Sequence, residues 1–393
     1  MTKKPFSTAY IMSFSNANIN GILKKIDVDS SGITIMSNKA KVVNIFIKGL
    51  DIKAANIMKQ EFLAAGADLA ISKNASMFRG KKTDAIAIAS ISQYKRVIGK
   101  LKVQPFGIPL VANYLENILN NVLTPKKIPL LPLLYDKPLI MGILNVTPDS
   151  FYDGGKYFNV EHAISHGIEM LSQGADIVDV GGMSSRPGAS EISSKEELSR
   201  TIPVIDALNN KGILSIDTMH PEVADAALIH GAKIINDITG FKNYRMVKVA
   251  KKRKAIALVM HMKGDPKTMQ NDPVYEDVVT EIYNFFEKKI KMLNKNGINE
   301  IIIDPGIGFG KTLEHNITIL KNIYAFKSLG YPVMIGVSRK SFIGKITGKD
   351  VENRLYGSIA VELYEMLNGV DIARVHDVAE TIDAFMMLNA LKK

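Results

Sequence analysis

From residue 137 onward the sequence repeats one pattern, in which a short apolar run is followed by a longer stretch with helical periodicity. The apolar runs are bounded by Gly, Asp and Asn, as strands are. They lie at 139–144, 177–180, 213–216, 233–235, 255–260, 300–303, 333–336 and 371–375. Eight strand and helix units match a closed (β/α)8 TIM barrel, which typically has about 250 residues. An open, doubly wound sheet is the alternative, but such sheets usually have fewer strands.

Helix candidates follow the strand candidates, and several begin with a capping residue such as Ser194 or with a proline in the first turn such as Pro221. These helices are predicted at 160–173, 195–208, 221–230, 275–294, 313–327, 353–367 and 380–391. The alternation of short strands with long helices therefore predicts an α/β protein with a parallel sheet.

The charge of the chain divides it into two parts. Residues 1–135 contain 19 Lys and Arg against 7 Asp and Glu, whereas residues 136–393 contain 31 against 32. Three prolines in 121–137 indicate a stiff, extended connector. We therefore predict two domains, a basic amino-terminal domain over 1–131 and the barrel over 132–393.

The amino-terminal domain is predicted to be a small α/β domain. Strands are expected at 33–36, 42–47 and 84–89, and helices at 52–65, 93–103 and 108–120. It contains no motif with a chemical mechanism, so we predict that it is not catalytic. Its positive charge is typical of a solvated, lysine-rich surface, and nucleic-acid binding is unlikely on this pattern.

Two absences from the sequence limit the function. Without cysteine there is no disulfide, no Cys-ligated zinc or iron–sulfur site, and no catalytic thiolate. No apolar run approaches the roughly 18 residues that span a bilayer, and residues 1–16 lack the apolar region of a signal peptide. We expect a soluble protein of the reducing cytoplasm, with no membrane partner.

A polar residue stands at the carboxyl end of every strand candidate. These residues are Asn145, the run 184–186, Asp217, Asn236, His261, Asp304, the run 338–340, and Arg374 with His376. In a barrel the carboxyl ends of the strands meet at one mouth, where active sites lie. A single polar residue there could simply begin a loop, but eight together favour a site.

The predicted mouth combines cationic side chains with hydrogen-bond acceptors. Arg186, Lys340, Arg374 and His376 are suited to holding a phosphate or pyrophosphate. Asp217, Asn236 and Asp304 offer the acceptors that bind the amidine edge of a planar nitrogen heterocycle. The segment 145–150 could supply oxygen ligands for Mg²⁺, which prefers few protein ligands and phosphate oxygens.

Three other patterns are weaker evidence of function. The run 306–312 resembles a P-loop, but that motif needs Gly at 305, where this chain has Pro305. No HExxH motif occurs, so we expect structural or supporting roles for the histidines at 220, 261, 315 and 376, and no zinc. The basic run 251–254 is predicted to be a solvated loop on the opposite face of the barrel.

The motifs of the barrel, taken in order, closely resemble the dihydropteroate synthase family. The matching segments are 140–151 (IMGILNVTPDSF), 181–188, 215–218, 235–237, 260–262, 304–311 (DPGIGFGK), 338–341 (SRKS) and 374–377 (RVHD). The amino-terminal domain resembles, much more weakly, the extension of longer family members. The resemblance implies a transferase of folate biosynthesis and a sulfonamide target, which condenses a pterin pyrophosphate with para-aminobenzoate, requires Mg²⁺ and forms a homodimer.

The resemblance also assigns roles to individual residues. Pterin binding falls to Asp217, Asn236, Asp304 and Lys340. Pyrophosphate binding falls to Asn145, Arg186, Arg374 and His376, with Asn145 also at the metal. Aminobenzoate binding falls to Ser185, Arg186, Pro187, Phe309 and Ser341. The residues expected to be catalytic are Asp217, Asp304, Lys340, Arg374 and His376.

The segment 181–187 departs from the pattern of the family. Where the family usually has GGESTRP, this chain has GGMSSRP. Met183 removes a carboxylate that could order the loop, and Ser185 keeps a hydroxyl but loses a methyl group. We expect these changes to affect the loop and the affinity for aminobenzoate, and not the class of reaction.

Three other functions fit part of the pattern. A pterin-binding methyltransferase barrel would share Asp217, Asn236 and Asp304 but would not need Arg374 and His376. A barrel that has lost activity and serves as a scaffold would be expected to lose some of these residues, and none is lost. A synthase that uses another arylamine as acceptor remains open on the sequence alone.

Overall fold

The computed structural model describes residues 19–132, 137–147, 156–183, 192–265, 269 and 272–392. The chain divides into two compact units between Asn120 and Asn121. This division lies before the boundary predicted between 131 and 132, because the segment that follows Asn121 belongs with the barrel. Ile128 and Leu131 of that segment are buried in one apolar cluster with the first residues of the barrel strands.

The amino-terminal unit contains a three-stranded antiparallel sheet, whose strands are ordered β1-β3-β2. Its strands are β1 (Val42–Asp51), β2 (Asp68–Ile71) and β3 (Lys82–Ser90). Its helices are α1 (Ile19–Lys25), α2 (Ser30–Ala40), α3 (Ile52–Ala64), α4 (Lys73–Ser76), α5 (Ile91–Leu101) and α6 (Ile108–Leu123), the last of which crosses the division between the units. The buried core of the unit is apolar and includes Met58, Phe62, Leu69 and Tyr94.

One predicted strand of this unit is wrong. Residues 33–36 lie inside α2, where Asp29 caps the helix by accepting a hydrogen bond of 2.8 Å from the backbone N–H of Gly32. The cap outweighs the strand preference of the isoleucines at 33 and 35. The strands predicted at 42–47 and 84–89 and the helices predicted at 52–65, 93–103 and 108–120 are confirmed with shifted ends. Strand β2, which has only four residues, was not predicted.

The second unit contains eight parallel strands, each close to its predicted position. They are β4 (Leu139–Asn145), β5 (Ile177–Gly181), β6 (Ile213–Asp217), β7 (Ile234–Asp237), β8 (Ile256–Met260), β9 (Ile301–Asp304), β10 (Met334–Ile335) and β11 (Ile372–Val375). The sheet runs from β10 through β11 and β4 to β9, and a parallel bridge between Ile303 and Val333 joins its two edges. The predicted (β/α)8 barrel is confirmed.

The helices of this unit follow the strands, with three differences from the prediction. They are α7 (Lys156–Ser172), α8 (Ser194–Leu208), α9 (Pro221–Ile229), α10 (Tyr244–Arg253), α11 (Val278–Lys295), α12 (Leu313–Lys321), α13 (Tyr324–Lys327), α14 (Ser341–Thr347), α15 (Leu355–Leu367) and α16 (Val378–Lys392). The helix predicted at 313–327 is two helices, and α10 and α14 were not predicted. The basic run at 251–254, predicted as a loop, is the last turn of α10 and its cap, where positive charge complements the helix dipole.

Apolar side chains fill the barrel at the amino ends of its strands. This cluster consists of Ile128, Leu131, Leu139, Met141, Ile177, Ile234, Ile256, Leu258, Ile302, Met334 and Ile372. Because that end is closed, polar side chains inside the barrel lie at the carboxyl ends. Of the helices that the structure describes, none is both long and apolar enough to cross a membrane.

Candidate active site

Three predicted site residues lie in one row across the mouth of the barrel. Asn145 pairs in register with Gly181, Gly181 with Asp217, and Asp217 with Asn236, so the row crosses four neighbouring strands. A Cβ atom at Gly181 would lie 3.6 Å from Cβ of Asp217 and 3.8 Å from Oδ1 of Asn145. Glycine at 181 therefore leaves open space between these two polar side chains.

A buried network connects three of these strands with the last strand of the barrel. The guanidinium of Arg374 donates to Asp179 through Nε at 2.7 Å and to Asp217 through Nη2 at 2.9 Å. The amide of Asn236 donates to the same oxygen of Asp179 at 2.9 Å. Asp179 is fully buried, and its other oxygen has no hydrogen-bond partner among the described residues. This carboxylate therefore orients two residues that were predicted to bind ligand.

Asp179 was not among the predicted site residues. The signal was present, because an aspartate interrupts the buried apolar run of β5, which reads IVDVG. The strand period of two places Asp179 on the same side of β5 as Gly181, toward the barrel interior. A charge at a buried strand position needs a charged or hydrogen-bonding partner, and Arg374 and Asn236 are the partners here.

The structure also changes the predicted division of the site into a cationic half and an acceptor half. Arg374 was grouped with the cations, yet its guanidinium lies between Asp217 of the acceptor half and Asp179, which was not predicted. The physical reason is burial, since each buried carboxylate is stabilised by an adjacent opposite charge. Its predicted role in binding pyrophosphate stays a prediction.

Burial shifts the proton affinity of both aspartates at the mouth. Burial raises the pKa of Asp217 to about 7, although the neighbouring Arg374 acts in the opposite direction. Burial also raises the pKa of Asp304, against the lowering effects of Lys340, the Gly306 backbone N–H, Lys311 and Arg374. The N–H of Gly306 donates to Oδ1 of Asp304 at 2.7 Å. The ionised form of such a carboxylate is stabilised when a bound ligand brings positive charge or N–H donors to it.

Lys340 lies beside the loop that follows β9. Its ammonium donates to the carbonyl oxygen of Ile307 and is 4.8 Å from the centre of the Phe309 ring. Burial lowers the pKa of Lys340 to about 8, while Asp304 favours the charged form. The structure thus places Lys340 next to Phe309, and both were predicted to be site residues.

The remaining predicted residues have three different surroundings. The backbone N–H of His376 donates to Oγ of Ser338 at 3.2 Å, and its ring Nδ1 is also 3.2 Å from that oxygen. Ser341 is exposed at the first position of α14. Arg339, one of the predicted polar strand ends, does not join the site, because its guanidinium forms an ion pair with Asp377 at 2.5 Å. Ser185, Arg186 and Pro187, together with residues 148–150, lie outside the described residues.

The start of the loop after β5 rests on α8. Arg200 donates to the carbonyl oxygen of Gly182 at 2.9 Å, and a carboxylate oxygen of the buried Glu197 lies 2.6 Å from Nδ1 of His220. A Cβ atom at Gly182 would come within 2.9 Å of the Glu197 side chain, so the loop begins in close contact with the helix. His220 therefore has a structural partner.

No metal cluster is formed by the described part of the chain, where no three His, Asp or Glu side chains could hold an ion together. A cation at this mouth would depend on few protein oxygens, such as Oδ1 of Asn145, and on a ligand. The geometry combines buried carboxylates, an amide held by Asp179 and two cations around an open strand row. Such a site can bind a heterocycle with several N–H groups and stabilise positive charge on it.

Comparisons with known proteins agree with this geometry. A family model described as pterin binding enzyme matches residues 141–376. Dihydropteroate synthase of Escherichia coli (strain K12) is 42% identical over 257 residues, which cover 64% of this chain and 91% of the relative. The crystal structure of Yersinia pestis dihydropteroate synthase with a sulfonamide drug complex has a TM-score of 0.63 and 41% identity, covering 65% of this chain and 95% of that chain.

Another relative extends over both units of this chain. The bifunctional dihydropteroate synthase/dihydropteroate reductase of Helicobacter pylori is 33% identical over 380 residues, which cover 95% of this chain and 97% of the relative. The likeness to this relative therefore includes the amino-terminal unit.

Proposed function

Because the chain belongs to the dihydropteroate synthase family of pterin-binding enzymes, we propose that it condenses 6-hydroxymethyl-7,8-dihydropterin pyrophosphate with para-aminobenzoate. The products are 7,8-dihydropteroate and pyrophosphate. The observation that carries this proposal is the buried network of Arg374, Asp179, Asp217 and Asn236 at the mouth of a barrel of this family.

The pterin is bound by the acceptors at the mouth. Asp217 accepts two parallel N–H bonds from the amidine edge of the ring. Asn236 donates its amide N–H to Asp179, which leaves its carbonyl oxygen free to accept from the ring. Lys340 supplies a donor for a ring acceptor, and Asp304 lies among the cations that favour its ionised form.

The reaction replaces one bond at the pterin methylene. The C–O bond to pyrophosphate breaks, the amine nitrogen of para-aminobenzoate forms the new C–N bond, and the amine loses a proton. Positive charge develops on the pterin, and Asp304 and Asp217 stabilise it. A carboxylate about 4 Å away is worth up to about 4 kcal/mol at an effective dielectric constant of about 20, or roughly a thousandfold in rate. An arylamine is unprotonated at neutral pH, so positioning outweighs base catalysis.

The pyrophosphate is proposed to bind Asn145, Arg374 and His376, together with Arg186. Asn145 would also hold Mg²⁺, since a single amide oxygen facing the mouth suits an ion that keeps water and phosphate oxygens as its other ligands. When bound, Mg²⁺ neutralises charge on the leaving group. Asn145→Ala is expected to raise the Mg²⁺ concentration needed for half-maximal activity, as measured by titration with a chelator-buffered metal.

The first test is release of pyrophosphate by the purified chain with Mg²⁺ and the pterin pyrophosphate. Release should require para-aminobenzoate and should fall in Asp304→Asn. A sulfonamide should compete with para-aminobenzoate and not with the pterin. Release with a different arylamine alone would instead change the acceptor, and pterin binding with no release in any mixture would contradict a synthase.

Dihydropteroate reduction is a second candidate activity. It is favoured by the relative from Helicobacter pylori, whose name includes a reductase and whose likeness covers the amino-terminal unit. Reduction of the dihydropterin ring adds two electrons and two protons, so a reduced nicotinamide or flavin must be supplied. Mass spectrometry should find tetrahydropteroate if the activity is present. Its loss on substitution within residues 19–120 would overturn the prediction that this unit is not catalytic.

A homodimer in the cytoplasm is also proposed from the family resemblance. The last two long helices expose apolar side chains that a second copy could cover, among them Tyr364 and Leu367 of α15 and Met386 and Met387 of α16. Light scattering after gel filtration should find twice the mass of one chain. A monomer at micromolar concentration would contradict this proposal.

A further inference from the structure

Lys311 is buried in the loop between β9 and α12 and has no role in the proposed reaction so far. Its side chain is only 3% exposed. Its ammonium nitrogen is 2.9 Å from the carbonyl oxygen of Phe309, 3.3 Å from the carbonyl oxygen of His261 and 3.1 Å from Nδ1 of His261. Three acceptors match the three N–H donors of an ammonium group.

These contacts determine the state of His261. Burial lowers the pKa of Lys311 well below its usual range, while Asp304 favours the charged form. As a donor to Nδ1, Lys311 pairs with a neutral imidazole that carries its proton on Nε2. Burial lowers the pKa of His261 to about 2, and the charges of Lys311 and Lys263 act in the same direction. The ring packs edge-on against Phe285 at 4.9 Å between centroids and lies 6.3 Å from the ring of Tyr275.

The loop that carries Lys311 is pressed onto the end of β8. Gly306 and Gly310 both have positive φ, and a Cβ atom would lie 2.0 Å from the carbonyl oxygen of His261 and 2.4 Å from that of Lys263, respectively. Glycine is therefore required at both positions. The hydroxyl of Tyr275 also donates to the carbonyl oxygen of Gly310 at 2.9 Å.

The same loop carries or contacts residues of the proposed site. Gly306 donates to Asp304, the Phe309 ring lies beside the ammonium of Lys340, and Lys340 donates to the carbonyl oxygen of Ile307. Lys311 thus holds the backbone of this loop from the buried side, and Lys340 contacts it from the side of the site. A loss of the Lys311 contacts would release the Phe309 carbonyl and allow Phe309 and Lys340 to move.

We propose that Lys311 and His261 form a buried clamp that positions Phe309 and Lys340 for the synthase reaction. Both are positioning residues, since neither is proposed to touch substrate. The geometry of the clamp is supported by the three hydrogen bonds of Lys311. Its effect on catalysis rests on the proposed function. It gives a role to two features that sequence patterns alone left without one, the P-loop-like run and the histidine after β8.

The test compares Lys311→Met with Lys289→Met in the full chain. Lys289 is the control, because it is a half-buried lysine that likewise donates to a loop carbonyl, that of Phe241 at 3.3 Å in the loop after β7. Lys311→Met should lower kcat by about a hundredfold per folded molecule, as a displacement of about 1 Å does in other enzymes. Lys289→Met should leave kcat unchanged.

A second variant covers the case in which Lys311→Met does not fold. His261→Phe keeps an aromatic ring to pack on Phe285 and removes the Nδ1 acceptor together with the Nε2–H group, so it should lower kcat by about tenfold. Unchanged kcat in either folded variant would overturn the clamp.

Nitrogen NMR of histidine-labelled protein gives a readout that does not need activity. In the wild-type chain His261 should carry its proton on Nε2 and should not titrate between about pH 5 and 8, the range in which an ordinary histidine does. A protonated Nδ1 would overturn the clamp. Wild-type protein with this NMR signature but no release of pyrophosphate would instead contradict the proposed function and leave the geometry standing.

Discussion

The two units of the chain bury different kinds of side chain. Within residues 19–120 the buried polar side chains are Thr83 and Ser90, and neither is charged. In the barrel unit the buried charged side chains include Asp179, Glu197, Asp237, Asp304, Lys311, Glu362 and Glu365. Burying a charge is costly unless it is paired, so a unit that does so repeatedly has been shaped by something other than stability.

The difference follows from how the strands are arranged. In the amino-terminal unit antiparallel strands bury one face, and small apolar residues of β3 such as Ala85 and Ala87 pack there. In the barrel all strands are parallel, so their carboxyl ends meet and polar residues from distant parts of the sequence become neighbours. The comparison predicts that substitutions of equal size will affect turnover in the barrel unit and only stability in the amino-terminal unit.

The largest expected effect is that of Asp304→Asn. It removes a carboxylate next to the developing positive charge, and we expect turnover to fall by roughly a thousandfold. The control is Asp237→Asn, at the end of a strand in the same barrel. Asp237 is equally buried, but its oxygens accept from Thr239 and from the backbone of Phe241. Steady-state kinetics should find nearly normal turnover for Asp237→Asn and a lower free energy of unfolding.

Glu365→Gln is expected to change the stability of the barrel unit through a buried carboxyl group. Glu365 is 0% exposed, and neither oxygen has a hydrogen-bond partner among the described residues. Burial raises its pKa to about 8. The folded chain therefore holds the proton more tightly than the unfolded chain, and the free energy of unfolding should fall as pH rises from about 4.5 toward 8.

We expect Glu365→Gln to remove this dependence and to raise the free energy of unfolding by about 4 kcal/mol at pH 8. At pH 4 the variant and the wild-type chain should differ little. Urea unfolding at both pH values measures the difference. A stable wild-type chain at pH 8 whose unfolding energy equals that of the variant would show that Glu365 has a partner.

The pH dependence of the reaction tests Asp217. The ionised carboxylate is the form that accepts two N–H bonds, and its pKa is raised to about 7. In the free enzyme kcat/KM should therefore fall by about tenfold for each pH unit below 7. Asp217→Asn should have low activity with no such step. A wild-type profile that is flat between about pH 5 and 7 would mean that Asp217 is ionised throughout.

The smallest effect is expected for Tyr94→Phe in the amino-terminal unit. The hydroxyl of Tyr94 is within hydrogen-bond distance of the carbonyl oxygens of Ala87 at 2.8 Å and Val43 at 3.1 Å. Its loss should cost about 1 kcal/mol of unfolding free energy. Synthase turnover should not change. If turnover falls as much as in Asp304→Asn, the two units do not divide stability and catalysis in the way that their buried residues indicate.

Most of the barrel could be predicted, because periodicity is a local property of the sequence. All eight strands were located to within about two residues, and the polar residues at their ends were predicted to form one site. The prediction failed where a local cap competed with a strand pattern, as at Ile33 in α2. The single helix predicted at 313–327 was also wrong. The chain forms two helices there, α12 and α13, although the helical pattern of the sequence continues across both.

The partners of the site residues were harder to predict from the sequence. Asp179 stands inside a strand, so a rule that looks for polar strand ends passes over it. Lys311 belongs to a run that resembles a P-loop but departs from that motif at Pro305, so the run by itself predicts no role for Lys311. In both cases the function of the residue depends on a group far away in the sequence, Arg374 for one and His261 for the other.

The sequence by itself determined the barrel, the polar ends of its strands and the resemblance to one enzyme family. These rest on the spacing of apolar residues and on short motifs, which need no knowledge of distant contacts. Only the tertiary structure decided that Arg374 pairs with Asp179 and Asp217, that Lys311 clamps the loop of Phe309, and that the units divide at Asn121. The physical reason is that a buried charge is stabilised by whichever partner the closed barrel brings to it, and closure is a property of all eight strands together.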